Sequence, residues 1–254
     1  MPDVTLETRD LTVRFGGHVA VDHVSCRFHA GELTAIVGPN GAGKTTYFNL
    51  ISGQIPVSEG TVLLNGNDLT RATVPARTLA GIGRAFQLTN LFPDLTVLEN
   101  LRLVVQAHRG PKFSLFSRAA AHEELTEAAQ VILQRVRLDT MADQVVTALS
   151  HGDQRKLEVA MLIALDPQIY MFDEPTAGMS ADEAPVVLDL IAEIKADTSR
   201  TVLLVEHKMD VIRTLADRII VLHNGALVAD GPPAEVMGSD IVREAYLGKE
   251  IADV

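Results

Sequence analysis

Three glycines, a lysine and two threonines lie within residues 38–46, in a spacing that suits phosphate binding. The segment follows the β-branched apolar run 34–37 and precedes residues 47–51, which continue as a helix. Glycines let consecutive backbone N–H groups turn toward phosphate oxygens, and the N-terminus of the following helix adds a partial positive charge. Strand, turn and helix match the P-loop pattern G-x-x-x-x-G-K-[ST], in which Lys44 reaches the β- and γ-phosphates and Thr45 offers its hydroxyl to Mg²⁺. The pattern predicts a nucleoside triphosphate site formed by Gly38, Pro39, Asn40, Gly41, Ala42, Gly43, Lys44, Thr45 and Thr46.

Two adjacent carboxylates end a second apolar run. Asp173 and Glu174 follow the buried-strand pattern of residues 169–172 and precede Pro175. A carboxylate at a strand end can face a metal without being buried unpaired, so Asp173 is predicted to be a further Mg²⁺ ligand. Glu174 comes next in the chain and is predicted to polarise the water that attacks the γ-phosphate.

The elements that must hold these groups alternate between strands and helices. Short strands are predicted at 4–8, 11–15 and 24–28, and Asn65-Gly66 predicts a tight hairpin. Apolar residues recur at helical spacing over 98–108 and 119–136, and further helices are predicted at 154–165 and 181–196. Apolar strands at 169–172 and 201–205 and a terminal hairpin at 219–228 complete the pattern. Continuous apolar strands separated by helices predict a parallel sheet that is covered on both faces.

Composition limits the classes of function that fit. The 254 residues are 47% hydrophobic and 22% charged, which is typical of a globular protein with a substantial core. A formal charge of −11 argues against a general nucleic-acid binder and against docking on anionic lipid. The single cysteine, Cys26, cannot form an internal disulfide and fits a reducing compartment. No signal peptide and no apolar run of ~20 residues is apparent, so we expect a cytosolic chain that meets a membrane only through a partner.

A third motif identifies a family. Residues 149–155 read Leu-Ser-His-Gly-Asp-Gln-Arg, with Ser150 as a helix N-cap and Asp153 at the capping-box spacing. By themselves these residues are equally typical of a plain capped helix. The stretch resembles the Leu-Ser-Gly-Gly-Gln signature of ATP-binding-cassette (ABC) proteins, in which this helix end completes an ATP site on the opposite subunit. The resemblance gives that role to Ser150 and Gly152, whereas His151 and Asp153 depart from the family pattern.

Other family motifs follow in the expected order. The resemblance implies that Gln87 joins Mg²⁺ or the attacking water and that His207, after the strand 201–205, lies near the γ-phosphate. Phe15 stands at the family's adenine-stacking position, where an aromatic face suits a base; the alternative is an ordinary core phenylalanine. The D-loop, 177–180, reads Ala-Gly-Met-Ser and lacks the aspartate common in the family; Ser180 with Glu183 predicts a capping box instead.

Within the family the chain is similar to the LivG-type ATP-binding subunits of branched-chain amino acid importers and the related urea and amide systems. Residues 96–101, the Ala-Gly-Met of the D-loop and the ending 242–248 carry this similarity, and the Leu-Ser-His-Gly variant leans toward the urea-type branch. The implied fold is α/β: a P-loop NTPase (RecA-like) core with an N-terminal antiparallel β-subdomain and an inserted α-helical subdomain. We expect one ABC domain over 1–254, with the core at 1–87 and 159–240, the helical subdomain at 88–158 and a tail at 241–254.

The resemblance implies an ATP-hydrolysing motor subunit of an importer, with ATP and Mg²⁺ as cofactors. Its implied partners are permease transmembrane subunits, a second homologous cassette or another copy of itself, and, indirectly, a periplasmic solute-binding protein; no nucleic acid is expected. The implied location is peripheral, on the cytoplasmic face of the inner membrane.

Two other classes of protein fit the motifs less well. A soluble cassette acting in translation or DNA repair usually carries two cassettes or a long coiled coil, and this chain shows neither. A P-loop kinase would need neither the 150–152 element nor His207.

Leu91 and Phe92 mark a border where the family receives a permease helix; alternatively, both side chains anchor the helical region to the core.

Overall fold

The computed structural model describes residues 3–85, 91–109 and 119–239, with side chains for 3–85, 91–108 and 123–239. The strands are β1 (Val4–Phe15), β2 (His18–His29), β3 (Leu33–Val37), β4 (Glu59–Leu64), β5 (Asn67–Asp68), β6 (Ile82–Ala85), β7 (Ile169–Asp173), β8 (Thr201–Val205), β9 (Arg218–His223) and β10 (Ala226–Gly231). The helices are α1 (Lys44–Ser52), α2 (Val74–Ala80), α3 (Val97–Arg109), α4 (Ala119–Arg135), α5 (His151–Leu165), α6 (Ala184–Ala196), α7 (Met209–Leu215) and α8 (Pro233–Val236). Short 3₁₀ turns cover Asp139–Met141 and Val146–Ala148.

Internal contacts divide the chain into two compact units. The first comprises the described parts of 1–84, 168–174 and 194–254, and the second those of 85–167 and 175–193. The predicted helical subdomain, 88–158, falls within the second unit where it is described. Its boundaries as a domain stay a prediction.

Two sheets organise the first unit. A six-stranded sheet has the order β10-β9-β3-β8-β7-β6, in which β9, β3, β8 and β7 run parallel and β10 is antiparallel at the edge. A four-stranded antiparallel sheet has the order β2-β1-β4-β5. Every residue of β3, β7 and β8 is buried, as expected for continuous apolar strands in a covered parallel sheet. The predicted α/β class is therefore confirmed.

The core of this unit lies around α1. Phe48 and Ile51 of this helix join one buried cluster with Phe28 of the antiparallel sheet and with Ile36 and Met171 of the parallel sheet. Burying large apolar side chains is the main stabilising term in folding, so the packing fixes α1 against both sheets. Its N-terminal residue, Lys44, is thereby held at the end of the loop that follows β3.

Three helices form the body of the second unit. Helices α3, α4 and α5 contact one another, with Leu101, Leu133 and Leu157 fully buried. The buried Asn100 side chain ties α3 to the preceding loop, because its Nδ2 donates to the carbonyl of Phe92 and its Oδ1 accepts from the Phe92 N–H. Leu91 is buried and Phe92 is 50% exposed.

Several element boundaries differ from the sequence predictions. Residues 4–15 form one strand rather than two, because the chain bulges at Asp10, which has a positive φ of 47°, and continues pairing. Helix α5 begins at His151, directly after its Ser150 cap. Helix α6 begins at Ala184 rather than Ala181, since residues 180–183 form a turn in which the Ser180 carbonyl accepts from the Glu183 N–H.

Candidate functional site

Three parallel strands bring the predicted catalytic segments to one edge of the sheet. Ile36 of β3 and Asp173 of β7 are both in register with Val205 of the intervening strand β8. The carboxyl ends of parallel strands meet at the same edge, which is where ligands bind in sheets of this kind. The P-loop, the pair Asp173–Glu174 and His207 therefore leave the sheet side by side.

The P-loop has a backbone that only glycine tolerates at two close approaches. A Cβ on Gly38 would lie 2.1 Å from the carbonyl oxygen of Leu222, and one on Gly43 would lie 2.5 Å from that of Ala20. Both glycines also have positive φ, 149° and 99°. The loop therefore packs closely against neighbouring backbone at both glycines.

Lys44 completes the loop from inside. Its side chain is buried, and its Nζ donates to the carbonyls of Gly38 at 2.7 Å and Pro39 at 3.1 Å. No side chain of the described residues caps the N-terminus of α1, whose N-cap is Gly43, and its first turn contains no acidic residue. This helix end offers backbone donors, a partial positive charge and a lysine ammonium, the chemistry that binds a phosphate group.

Asp173 lies fully buried at the end of β7. Its Oδ2 accepts from Nη2 of Arg84 at 2.8 Å, and the Arg84 side chain is itself 7% exposed. Carboxylate and hydroxyl oxygens are the ligands that Mg²⁺ prefers, so Asp173 and Thr45 suit such an ion beside a phosphate. The described residues contain no group of three or more His, Cys, Asp or Glu side chains arranged to hold a metal.

Glu174 and His207 meet directly. His207 Nε2 and Glu174 Oε1 are 2.9 Å apart, within hydrogen-bond distance, and both side chains are about one-third exposed. Glu174 has a positive φ of 49°, and its N–H donates to the carbonyl of Val205. The buried Glu206 carboxylate accepts from the His207 N–H at 2.7 Å and shapes the turn that carries the histidine. A carboxylate that can accept a proton thus stands next to a group that can hold its orientation.

Phe15 ends β1 beside the turn into β2, where it pairs with His18. Half of its surface is exposed, so the ring is not a core residue. An exposed aromatic face on a strand end suits stacking with a planar base.

The signature residues lie in the second unit. Ser150 Oγ accepts from the Asp153 N–H at 3.1 Å and donates to Asp153 Oδ2 at 2.8 Å, which is the predicted cap of α5. Although burial alone would raise it, hydrogen bonds from Lys156 and Ser150 hold the pKa of Asp153 below its usual value. Asp153 therefore stays ionised at neutral pH, in the first turn of α5.

Glu183 lies next to Gly152. A Cβ on Gly152 would be 2.3 Å from Glu183 Oε1, so only a glycine fits here while Glu183 keeps its position. Glu183 Oε2 accepts from the N–H of Ser180 at 3.0 Å and from its hydroxyl at 2.9 Å, which lowers the pKa of Glu183. The predicted capping box is thus half formed: Glu183 reaches back to Ser180, but the Ser180 hydroxyl donates to the carboxylate. The contact ties the D-loop to the start of α5.

Local sequence patterns do not account for every residue of the site. Gln87 and the ending 242–248 lie outside the described residues. Arg84 was not predicted as part of the site; its only sequence signal is a lone arginine in the apolar strand pattern 82–85. Its ion pair joins positions 89 apart in the chain, which no local pattern can indicate.

The chain resembles known proteins over nearly its whole length. Residues 21–177 match the ABC transporter family, and residues 226–252 match the branched-chain amino acid ATP-binding cassette transporter family. The chain is 38% identical over 259 residues to the high-affinity branched-chain amino acid transport ATP-binding protein LivG of Escherichia coli K12, with 98% of this chain and 100% of that one covered.

Solved structures show the same likeness. An ATP-binding cassette of an ABC transporter in its ADP conformation superposes with a TM-score of 0.82 at 30% identity, covering 97% of this chain and 100% of the other. A dimeric cassette in a post-hydrolysis state, bound to ADP and Pi, gives a TM-score of 0.78 at 26% identity and covers 89% and 98% of the two chains.

Proposed function

The chain belongs to the ABC transporter family, and from that premise we propose that it is the ATP-hydrolysing subunit of an importer for branched-chain amino acids or related small solutes. The ABC ATPase fold expected from the sequence is confirmed by the solved cassettes. The observation that carries the proposal is the common edge of β3, β8 and β7. The P-loop, the buried Asp173 carboxylate and the Glu174–His207 pair all follow these strands at that edge.

In the proposed mechanism the P-loop binds the triphosphate through its backbone N–H groups and the Lys44 ammonium. Gly38, Pro39, Asn40, Gly41, Ala42, Gly43, Thr45 and Thr46 complete the loop, and Phe15 stacks on the adenine. Thr45 and Asp173 would hold Mg²⁺, which would supply positive charge against the phosphate oxygens. Gln87 is proposed as a further contact to the metal or the attacking water.

Glu174 is the proposed general base. Its carboxylate accepts a proton from the water that attacks the γ-phosphate, and the His207 ring holds the carboxylate at hydrogen-bond distance. A positioned base of this kind contributes roughly 10²- to 10⁴-fold to a rate. His207 is also proposed to donate a hydrogen bond to the γ-phosphate.

The second half of each site comes from another chain. One solved relative is a dimeric cassette, and we propose that Ser150 and Gly152 contact the nucleotide held by a partner cassette, which is either a homologous subunit or a second copy. The described residues include no helix long and apolar enough to cross a membrane. We propose that permease subunits carry the solute, with this chain bound peripherally on their cytoplasmic face and the half-exposed Phe92 as a contact.

A soluble cassette unrelated to transport is the alternative. It is less favoured because residues 226–252 match the branched-chain amino acid cassette family and because full-length relatives are transport subunits.

Replacing Glu174 with Gln tests the catalytic assignment. The amide keeps the shape of the side chain but cannot accept a proton, so we expect steady-state hydrolysis to fall by at least about 100-fold while ATP stays bound. Filtration binding and phosphate release measure the two properties separately, and sedimentation should show an ATP-dependent dimer, alone or with a partner cassette. Near wild-type turnover would remove Glu174 from its role.

A further inference from the structure

Arg84 connects two elements that carry proposed metal ligands. The side chain leaves the edge strand β6 and is 7% exposed, so its charge lies inside the first unit. One guanidinium nitrogen, Nη2, donates to Asp173 Oδ2 of β7 at 2.8 Å. The other, Nη1, donates to Asn49 Oδ1 at 2.6 Å and Ser52 Oγ at 3.0 Å, both on α1.

The guanidinium also lies over an aromatic ring. Its central carbon lies 5.6 Å from the centre of the Phe48 ring, which belongs to the core cluster of the same helix. Burial lowers the pKa of Arg84 and the nearby Asp173 opposes that shift, yet an arginine remains protonated at any physiological pH. Arg84 is thus a permanent, oriented cation with fixed contacts on both sides.

This arrangement determines how the Asp173 carboxylate is turned. A planar guanidinium presents its donors in a rigid fork, so binding α1 with one nitrogen fixes where the other can hold Oδ2. Because Arg84 holds Oδ2, the other carboxylate oxygen, Oδ1, is the atom that would contact a metal, either directly or through a water. The same fork sets Asp173 relative to α1, the helix that carries Thr45.

We propose that Arg84 is a positioning residue for Mg²⁺. It orients the Asp173 carboxylate toward the metal site and keeps that carboxylate in register with Thr45, without touching metal or nucleotide. The proposal rests on the proposed function, because it assumes that Asp173 and Thr45 hold Mg²⁺ beside bound ATP.

The test uses Arg84→Lys, which keeps a positive charge but cannot hold α1 and Asp173 through one rigid fork. Affinity for a fluorescent ATP analogue is measured in EDTA and across a Mg²⁺ titration, together with the Tm of the nucleotide-free protein. We expect the affinity in EDTA to stay within about twofold of wild type, because the P-loop is intact. The Mg²⁺ concentration that gives half of the metal-dependent gain in affinity should rise about tenfold.

Arg77→Lys is the matched control. Arg77 is 2% exposed and binds the same last turn of α1, where its Nη1 donates to the carbonyls of Leu50 and Ile51. Its Nε and Nη2 donate to the carbonyls of Ala72 and Thr70 rather than to Asp173. Replacing its guanidinium with a lysine ammonium should lower the Tm and leave the Mg²⁺ midpoint within about twofold of wild type. An equal shift of the midpoint in both variants, or none in Arg84→Lys, would overturn the proposal.

A second variant covers the case in which Arg84→Lys does not fold. Asn49→Ala removes one contact on the α1 side and leaves the ion pair, so the midpoint should rise by a smaller factor of about three. An unchanged midpoint in Asn49→Ala would then contradict the proposal.

If the wild-type chain bound the analogue with no response to Mg²⁺, the metal assignment would be wrong and the role of Arg84 with it. If it bound no nucleotide at all, the proposed function itself would fail.

Discussion

The N-termini of α1 and α5 serve the same proposed purpose, contact with ATP phosphates, but they are built in opposite ways. Helix α1 has a glycine N-cap with positive φ, a lysine as its first residue and no acidic residue in its first turn. Helix α5 is capped by the Ser150 side chain, carries Asp153 in its first turn and has Glu183 next to Gly152.

The difference concerns which donors each helix end has already used. At α5 the Asp153 N–H is bonded to Ser150, and the carboxylates of Asp153 and Glu183 offset the partial positive charge of the helix end. At α1 no side chain of the described residues caps the helix, and no acidic residue in its first turn offsets the helix charge. We infer that α1 binds ATP within a single chain, whereas α5 contributes only when a partner presents a nucleotide that is already bound.

Replacing a glycine at the α1 end should have the largest effect. In Gly43→Ala the new Cβ would meet the backbone oxygen of Ala20 at a positive φ, and neither can move without opening the loop. Losing even two charge-assisted contacts at roughly 1.5–3 kcal/mol each weakens binding more than about 100-fold. Isothermal titration with ATP measures this, and affinity within tenfold of wild type would show that the loop adapts.

The corresponding change at the α5 end should affect a different step. In Gly152→Ala the new Cβ would meet the Glu183 carboxylate, the end of a flexible side chain that can move away from α5 and the D-loop. Affinity of the isolated chain for ATP should stay within about twofold, whereas turnover in the assembled transporter should fall roughly tenfold or more. Weakened ATP binding in the isolated chain would contradict the separation of the two helix ends.

His151→Gly should have the smallest effect. The family needs close backbone approach at this position and little side chain, so restoring glycine should change ATPase activity by less than tenfold, about 1.4 kcal/mol in the barrier. Phosphate release at saturating ATP is the measurement. A complete loss of activity would give His151 a role of its own.

The features that the sequence predicted are those specified by neighbouring residues. The P-loop, the Ser150 cap and the apolar strands β3, β7 and β8 each depend on a few adjacent positions, and the structure has them. The features that were missed depend on distant pairs. Arg84 meets Asp173 across 89 positions, and Gly152 meets Glu183 through the tertiary packing of the D-loop on α5.

Local sequence patterns also predicted the wrong boundaries for one strand and one helix. The sequence predicted a break near Asp10, but pairing of β1 with both β2 and β4 continues past the bulge and keeps one strand over 4–15. The start of α6 was placed too early because an acidic residue three positions after Ser180 is typical of a cap, whereas here it forms a turn before the helix.

Equilibrium binding of ATP to the dilute, isolated chain tests the central claim most directly. The wild type should bind one ATP per chain; Lys44→Ala should weaken binding about 10- to 100-fold, because a buried ammonium contact to phosphate is lost. Ser150→Ala, measured in the same way, should leave the Kd within about twofold. Unchanged binding in Lys44→Ala, or a comparable loss in Ser150→Ala, would contradict the account that the N-terminus of α1, and not that of α5, helps to bind the nucleotide in the free chain.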